Sequence, residues 1–154
     1  MWRRCQVIRK RLASIDDRAI HRLVVEQLVP FSRLYDTGSS VTFSEIRKRL
    51  NQNKTFVTAK GLKQPFGFIT MIRKSRVLFI DMLAIDSREQ GRGWGHELMK
   101  VAEEYGKSER CLTAELFVDE SNPKAIRFYL GKGYEIHSFI PELSCYKMSK
   151  KLRR

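Results

Sequence analysis

Apolar and polar residues alternate over residues 7–12. Val7, Arg9 and Arg11 fall on one side and Ile8, Lys10 and Leu12 on the other, the period of a half-exposed strand. From Asp16-Asp17 the period lengthens. Ile20, Leu23, Val24 and Leu28 lie at helical spacing, and the helix is expected to end before Pro30. Thr42 with Glu45 has the form of a capping box and opens a second, short helix. Its apolar side is Phe43, Ile46 and Leu50, which leaves Arg47, Lys48 and Arg49 to face water. Strand-like runs at 55–60, 66–73 and 76–85, punctuated by 61–65 and by Lys74-Ser75, predict a three-strand meander.

A glycine-rich stretch at 90–95 leads into a helix running to about residue 107, with Leu98, Val101, Ala102 and Tyr105 as its buried stripe. Residues 112–118 read as a strand. Asn122 is a good N-cap and Pro123 a good first helical residue, so a further helix follows. Its inward side is Ile126, Tyr129 and Leu130, and Gly131 or Gly133 ends it. Strands at 134–139 and 143–148, around Pro141, close the chain. The order β-α-α-β-β-β-α-β-α-β-β predicts an α/β (α+β) fold, a mixed sheet with helices packed on it.

The chain has 154 residues, which fits a single domain over 1–154. An apolar fraction of 42% argues against disorder. Apolar runs such as Val77-Leu78-Phe79-Ile80 fall far short of the about 20 residues that cross a membrane. The start, Met1-Trp2-Arg3-Arg4, is basic but has no apolar segment after it, so no secretory signal is expected. Cys5, Cys111 and Cys145 are widely spaced, as are His21, His96 and His137, so no metal site is expected. Unpaired cysteines without a signal point to a reducing, cytoplasmic setting. The charge balance is unusual: 30 Lys and Arg against 17 Asp and Glu give +13. Such a field attracts polyanions, whether nucleic acid or a phosphorylated cofactor.

A strand running into Gln90-Gly91-Arg92-Gly93-Trp94-Gly95 and then a helix suits a phosphate. Glycines let the backbone approach a ligand, and the unpaired N–H groups of the helix start attract an anion, with Arg88 and Arg92 adding charge. The spacing departs from G-x-G-x-x-G, because the last glycine falls one position early. No P-loop is present either, since Gly131-Lys132-Gly133 lacks the rest of that motif.

The segment Gln90-x-x-Gly93-x-Gly95 resembles the (Arg/Gln)-x-x-Gly-x-(Gly/Ala) signature of the GNAT superfamily of CoA-dependent N-acetyltransferases. The preceding residues 79–86 look like that family's fourth strand. Asn122-Pro123-Lys124-Ala125-Ile126-Arg127-Phe128-Tyr129, ending in Gly133-Tyr134, resembles its Asn-x-x-Ala-x-x-Phe-Tyr-x-x-x-Gly-(Phe/Tyr) helix. The resemblance implies a mostly antiparallel central sheet of about seven strands with about four helices. It also implies acetyl-CoA as cosubstrate. The diphosphate would lie on the backbone of Gly91, Arg92, Gly93, Trp94 and Gly95, with Gln90 opening the loop. Leu83 and Ile85 would run beside the pantetheine arm, between strands splayed at about 81–86 and 113–118. Asn122 would contact the same arm besides capping its helix.

Acetyl transfer to an amine needs a neutral nucleophile, donors for the developing oxyanion and a proton for the leaving thiolate. By the resemblance Tyr129 is the acid; as a residue it is equally a buried aromatic packed with Ile126. Asp81 is a carboxylate inside the apolar run 77–85, where it needs a partner. That partner is either the acceptor amine, making Asp81 the base or amine anchor, or a structural arginine or backbone N–H groups. A backbone N–H near Leu83 would be the oxyanion donor. Trp94 either packs under the helix start or covers the cofactor. His96 reads as a surface residue and Cys145 as a core thiol. Residues 30–41 and 138–143 would shape the acceptor pocket, where Asp36 and Glu142 could attract a cation.

The expected function is transfer of an acetyl group from acetyl-CoA to a primary amine (small amine, amino acid or protein amine) in a ternary complex, by a monomer or homodimer without a membrane partner. An RNA-linked amine such as aminoacyl-tRNA is an alternative acceptor. A non-catalytic CoA-sensing or nucleic-acid-binding module is the alternative of a different class. Salt dependence separates these, because counterion release makes nucleic-acid binding steeply salt-sensitive.

Overall fold

The computed structural model describes residues 6–32 and 41–153. Strand β1 (Gln6–Lys10) leads to α1 (Ala13–Gln27), a 3₁₀ turn at Val29–Phe31 and α2 (Phe43–Gln52). Then come β2 (Lys54–Lys60), β3 (Gly67–Lys74) and β4 (Val77–Ile85), a second 3₁₀ turn at Ser87–Glu89 and α3 (Trp94–Ser108). The chain closes with β5 (Thr113–Asp119), α4 (Pro123–Gly131), β6 (Glu135–Ile140) and β7 (Cys145–Lys151). The element order is the one read from the sequence.

The seven strands form one sheet in the order β1-β2-β3-β4-β5-β7-β6. Every neighbouring pair is antiparallel except β4–β5, which is parallel. Alternation along β3 and β4 sends residues to two cores. Ile69, Met71, Leu78 and Ile80 pack under α3, with Ala125, Ile126 and Tyr129 of α4 against the same cluster. Val57, Phe68, Met82 and Ala84 pack under α1 and α2 with Ile20, Leu23, Ile46 and Leu50. The sheet is thus sandwiched, α1 and α2 on one face and α3 and α4 on the other. The α3 contact is close: a Cβ on Gly106 would stand 2.9 Å from the Leu78 side chain.

Helix α1 begins three residues before the expected Asp16-Asp17 start. Those aspartates are not caps at the helix end but buried partners of β1. Asp16 takes a forked pair from Arg9 (2.8 and 2.9 Å) and Asp17 one from Arg11 (2.6 and 2.7 Å). Such forks stitch the edge strand to the helix that follows it. The capping box at Thr42 and Glu45 forms as expected. In α4 the expected inward residue Leu130 is exposed, and the end glycine is Gly131 with Gly133 at φ 90°.

The C-terminus of α3 breaks a local rule. Cys111 N–H reaches Gly106 O (2.8 Å) and Arg110 N–H reaches Lys107 O (3.0 Å), the paired bonds that close a helix through a left-handed residue. That residue is Arg110, at φ 64°. Glycine is the usual occupant, and a residue with a Cβ costs about 1 kcal/mol there.

Candidate active site

β4 carries one residue more than β3 can pair. Met71 faces Ile80 and Thr70 faces Met82, so Asp81 is left over as a bulge. A bulge bends its strand and re-aims a side chain. Here β4 pairs with β5 only through Val77–Ile80 against Thr113–Leu116, and the two strands part from Asp81 onward. The splay expected over 81–86 and 113–118 is therefore narrower on β5, because residues 113–116 remain paired.

The parting opens a cleft of about 420 Å³ through the sheet. Asn122, Ala125 and Tyr129 of α4 line it from one face, and Arg49, Val24 and Leu28 from the other. Asp86 N–H donates to Phe66 O (2.7 Å), which fixes the antiparallel alternation. That alternation turns the backbone of Leu83 and Ile85 away from β3 and toward the gap.

The glycine loop stands at the end of β4. Gly91 (φ 77°) and Gly93 (φ 87°) both take left-handed conformations, and Gly93 is the N-cap of α3. A Cβ at either position would meet nothing within 4 Å, so the space over the loop is open. The first-turn amides of α3 have no acceptor within the helix, an arrangement suited to an anion.

Side chains brace the loop rather than point out of it. Gln90 Nε2 donates to Ile85 O (2.9 Å) and Gln27 Oε1 (3.0 Å), and its Oε1 accepts from Lys124 Nζ (3.1 Å). Asp86 accepts from Arg88 N–H (3.0 Å) and pairs with the Arg88 guanidinium and with Arg22. The Arg88 hydrogen bonds hold the Asp86 carboxyl down to about 2. Arg92 turns back to Glu89 (3.3 Å). Trp94 lies under the helix start, edge-on to Phe66 with ring centres 5.4 Å apart, and does not line the cleft. Gly95 faces the Phe128 ring, 3.3 Å from where its Cβ would be.

Asn122 caps α4 through Ala125 N–H (3.2 Å) and lines the cleft, so both expected placements coincide. The Tyr129 hydroxyl accepts and donates no hydrogen bond among the described residues, and burial raises its pKa well above the phenol's usual value. It therefore stays protonated through neutral and alkaline pH. His96 is exposed on α3. Cys145 is buried, and its thiol is pushed up by burial and then by the charge of Asp119.

Asp81 is tied. Arg49 Nε donates to Asp81 Oδ2 (2.6 Å), Arg49 Nη2 to Oδ1, and Asn53 Nδ2 to Oδ2 (2.9 Å). Arg49, expected to face water, instead reaches from α2 to this carboxylate and the cleft. A free carboxylate in the cleft is Asp119, the last residue of β5. It has no ion pair among the described residues, and burial raises its pKa. Phe79 and Phe117, ring centres 5.4 Å apart, line the same cleft. The sequence singled out neither Asp119 nor Arg49, since only the splay and the bulge bring them to one place. Of the expected acceptor-side segment 30–41, residues 33–40, Asp36 among them, lie outside the described residues, and Glu142 is exposed off the cleft while Leu143 lines it.

Among the described residues no cluster fit for a metal occurs, and no helix is long and apolar enough to cross a membrane.

A glycine-capped helix start follows a parallel strand pair that splits, an arrangement suited to a phosphorylated ligand. The acetyltransferase (GNAT) family profile matches residues 20–134, and the chain belongs to that family. It is an acyltransferase that uses acetyl-CoA. A search of curated protein sequences finds no match. Similar solved structures include Ard1 from Thermoplasma volcanium, 21% identical, with TM-score 0.78 over 97% of this chain and 99% of that one. Spermidine N-acetyltransferase from Vibrio cholerae, in complex with CoA and spermine, is 19% identical, with TM-score 0.75 over 97% and 96%. The NatC complex bound to Gag peptide and CoA is 20% identical, with TM-score 0.74 over 96% and 99%.

Proposed function

We propose that the protein transfers the acetyl group of acetyl-CoA directly to a primary amine within a ternary complex, with Tyr129 as the acid. The observation that carries this reading is the through-sheet cleft, lined by Asn122 and Tyr129 from the α4 side and by Arg49 and Asp119, with the glycine loop following the end of the splayed strand β4. Bound acetyl-CoA supplies a thioester carbonyl as the electrophile. The amides of Gly91, Arg92, Gly93, Trp94 and Gly95 would hold its diphosphate. The backbone of Leu83 and Ile85, with the Asn122 side chain, would hold its arm. Tyr129 keeps a proton at Oη for the departing sulfur, and desolvation keeps that proton in place until it is needed.

On the acceptor side, the Asp119 carboxylate attracts a cationic amine, and the Phe79 and Phe117 rings offer its carbon chain an apolar floor. Asp81 acts as a positioning residue: it fixes Arg49, and with it the wall that the acceptor passes. A covalent acetyl-cysteine step is disfavoured, since the Cys145 thiol is buried and its pKa is raised.

Initial velocities measured over a grid of acetyl-CoA and amine concentrations test the order of events. Spermidine, a peptide amino terminus and a neutral arylalkylamine serve as acceptors, with free thiol as the readout. Intersecting double-reciprocal lines with at least one amine are expected. Parallel lines would mean an acetyl-enzyme, and the direct-transfer reading would be wrong.

A further inference from the structure

We infer that the pole of the molecule opposite the acceptor cleft is a docking surface for the sugar–phosphate backbone of a nucleic-acid duplex. The cleft lies where β4 and β5 part, at their C-terminal ends. The opposite pole is formed by their N-terminal ends. There Leu112 N–H donates to Arg76 O (2.7 Å) and Leu152 N–H to Leu112 O (2.8 Å), which brings three chain segments together: the β3–β4 turn, the α3–β5 connection and the end of β7.

These segments carry Arg73, Lys74, Arg76, Arg110, Lys151 and Arg153, all exposed. Glu109 is the one carboxylate in residues 73–77, 107–113 and 150–153, and it is engaged by Arg73 at 3.1 Å. The others have no carboxylate partner among the described residues. Lys54, nearby, has its pKa lowered by desolvation and then by the charge of Lys10, with Glu109 acting the other way.

Arg110 supplies the independent observation. It holds the left-handed position that closes α3, a place where glycine is the more stable occupant. A local rule broken without a compensating contact marks a residue kept for something other than folding. What Arg110 adds over glycine is an exposed guanidinium, two residues before Leu112, whose N–H bonds to Arg76 O.

Guanidinium forks match phosphate oxygens in pairs, and four of the six side chains are arginines. Leu112 is the large apolar side chain exposed at this pole, too little for insertion into a lipid interface, which favours nucleic acid over membrane. No aromatic side chain lies in these segments to stack on unpaired bases, which favours a duplex backbone over single strands. Docking here would tether the enzyme while leaving the cleft turned away. It therefore stands whether or not the acceptor assignment above is correct.

Fluorescence anisotropy of a labelled DNA duplex tests this, run as a salt series with CoA present to occupy the glycine loop. The variants are Arg110→Gly alone and Arg76→Glu/Arg110→Gly/Lys151→Glu. The triple variant should bind on the order of tenfold more weakly, with a log–log salt slope smaller by about 0.9 for each contact removed. Arg110→Gly should weaken binding while raising the melting temperature, a pairing that general destabilisation cannot produce. Unchanged duplex affinity in the triple variant would overturn the proposal. So would tighter binding to phosphatidylserine vesicles than to the duplex.

Discussion

Arg49 of α2 grips both carboxylate oxygens of Asp81, the residue by which β4 outnumbers β3 at its bulge. The bulge starts the strand splay, and the ion pair fastens the splayed strand to the helix over the acceptor side. One relationship therefore shapes both halves of the cleft. It also assigns Asp81 a part: a carboxylate bound by a guanidinium and by Asn53 is poorly placed to take a proton from an amine.

Asp81→Asn is accordingly expected to lower kcat/KM for the amine while leaving the shape of its pH profile intact. The acetyl-CoA dissociation constant should stay near wild type. Loss of the acidic limb of the profile in this variant would make Asp81 the base instead. Arg49→Ala should lower stability by about 1–3 kcal/mol, because it strands a nearly buried carboxylate, and thermal melting reads that directly.

Tyr129→Phe should reduce kcat by about 10²-fold or more, the usual range for a positioned acid, with little change in acetyl-CoA affinity. The hydroxyl has no hydrogen-bond partner among the described residues, so the variant should melt at the same temperature or higher. Because burial raises this phenol's pKa, the wild-type rate should show no limb from Tyr129 below its ordinary value of 10. Unchanged turnover would remove Tyr129 from the acid role.

Asp86 fastens the approach to the glycine loop, and its pKa gives the sign of a pH effect. The folded value, about 2, lies below the ordinary 3.8. Its contribution is therefore complete above about pH 4 and is lost as pH falls toward 2. Arg88 is exposed, so solvent screening keeps the contribution to about 1 kcal/mol. Asp86→Asn should lower the melting temperature at neutral pH by about 2–4 °C and flatten its fall over that acid window. A variant melting curve that still falls as steeply between pH 4 and 2 would contradict this.

Asp119→Asn should raise KM for a cationic acceptor such as spermidine more than for a neutral arylalkylamine. Equal effects on both would mean that Asp119 does not read acceptor charge.

Legibility in the sequence followed distance along the chain. The spacing from Asn122 to Tyr134 could be read because capping, helix face and terminal glycine are all set within a few turns. Gly91 and Gly93 were equally legible, since their conformations are local demands. Arg49 was misread as a solvent-facing residue: its partner lies 32 positions away, and helical periodicity counts only apolar neighbours. The bulge at Asp81 left no trace in the strand pattern, because an extra residue shows only against the strand it is paired with. Asp16 and Asp17 looked like a helix start, and it took Arg9 and Arg11 on β1 to bury them inside the helix. Trp94 had two readings, and its packing shows only against Phe66, which lies 28 positions earlier in the chain.

The most direct test of the central claim is a thermal-shift titration with acetyl-CoA at moderate salt, set beside ATP and repeated on Gly93→Asp. A ligand that binds only the folded state raises the melting temperature as its concentration passes the dissociation constant. The wild type is expected to shift with acetyl-CoA and far less with ATP. Gly93→Asp, with an anion placed over the open cradle at φ 87°, is expected to lose the acetyl-CoA shift. Equal shifts with the two ligands, or a full acetyl-CoA shift in Gly93→Asp, would contradict the assignment of the glycine loop as the CoA site.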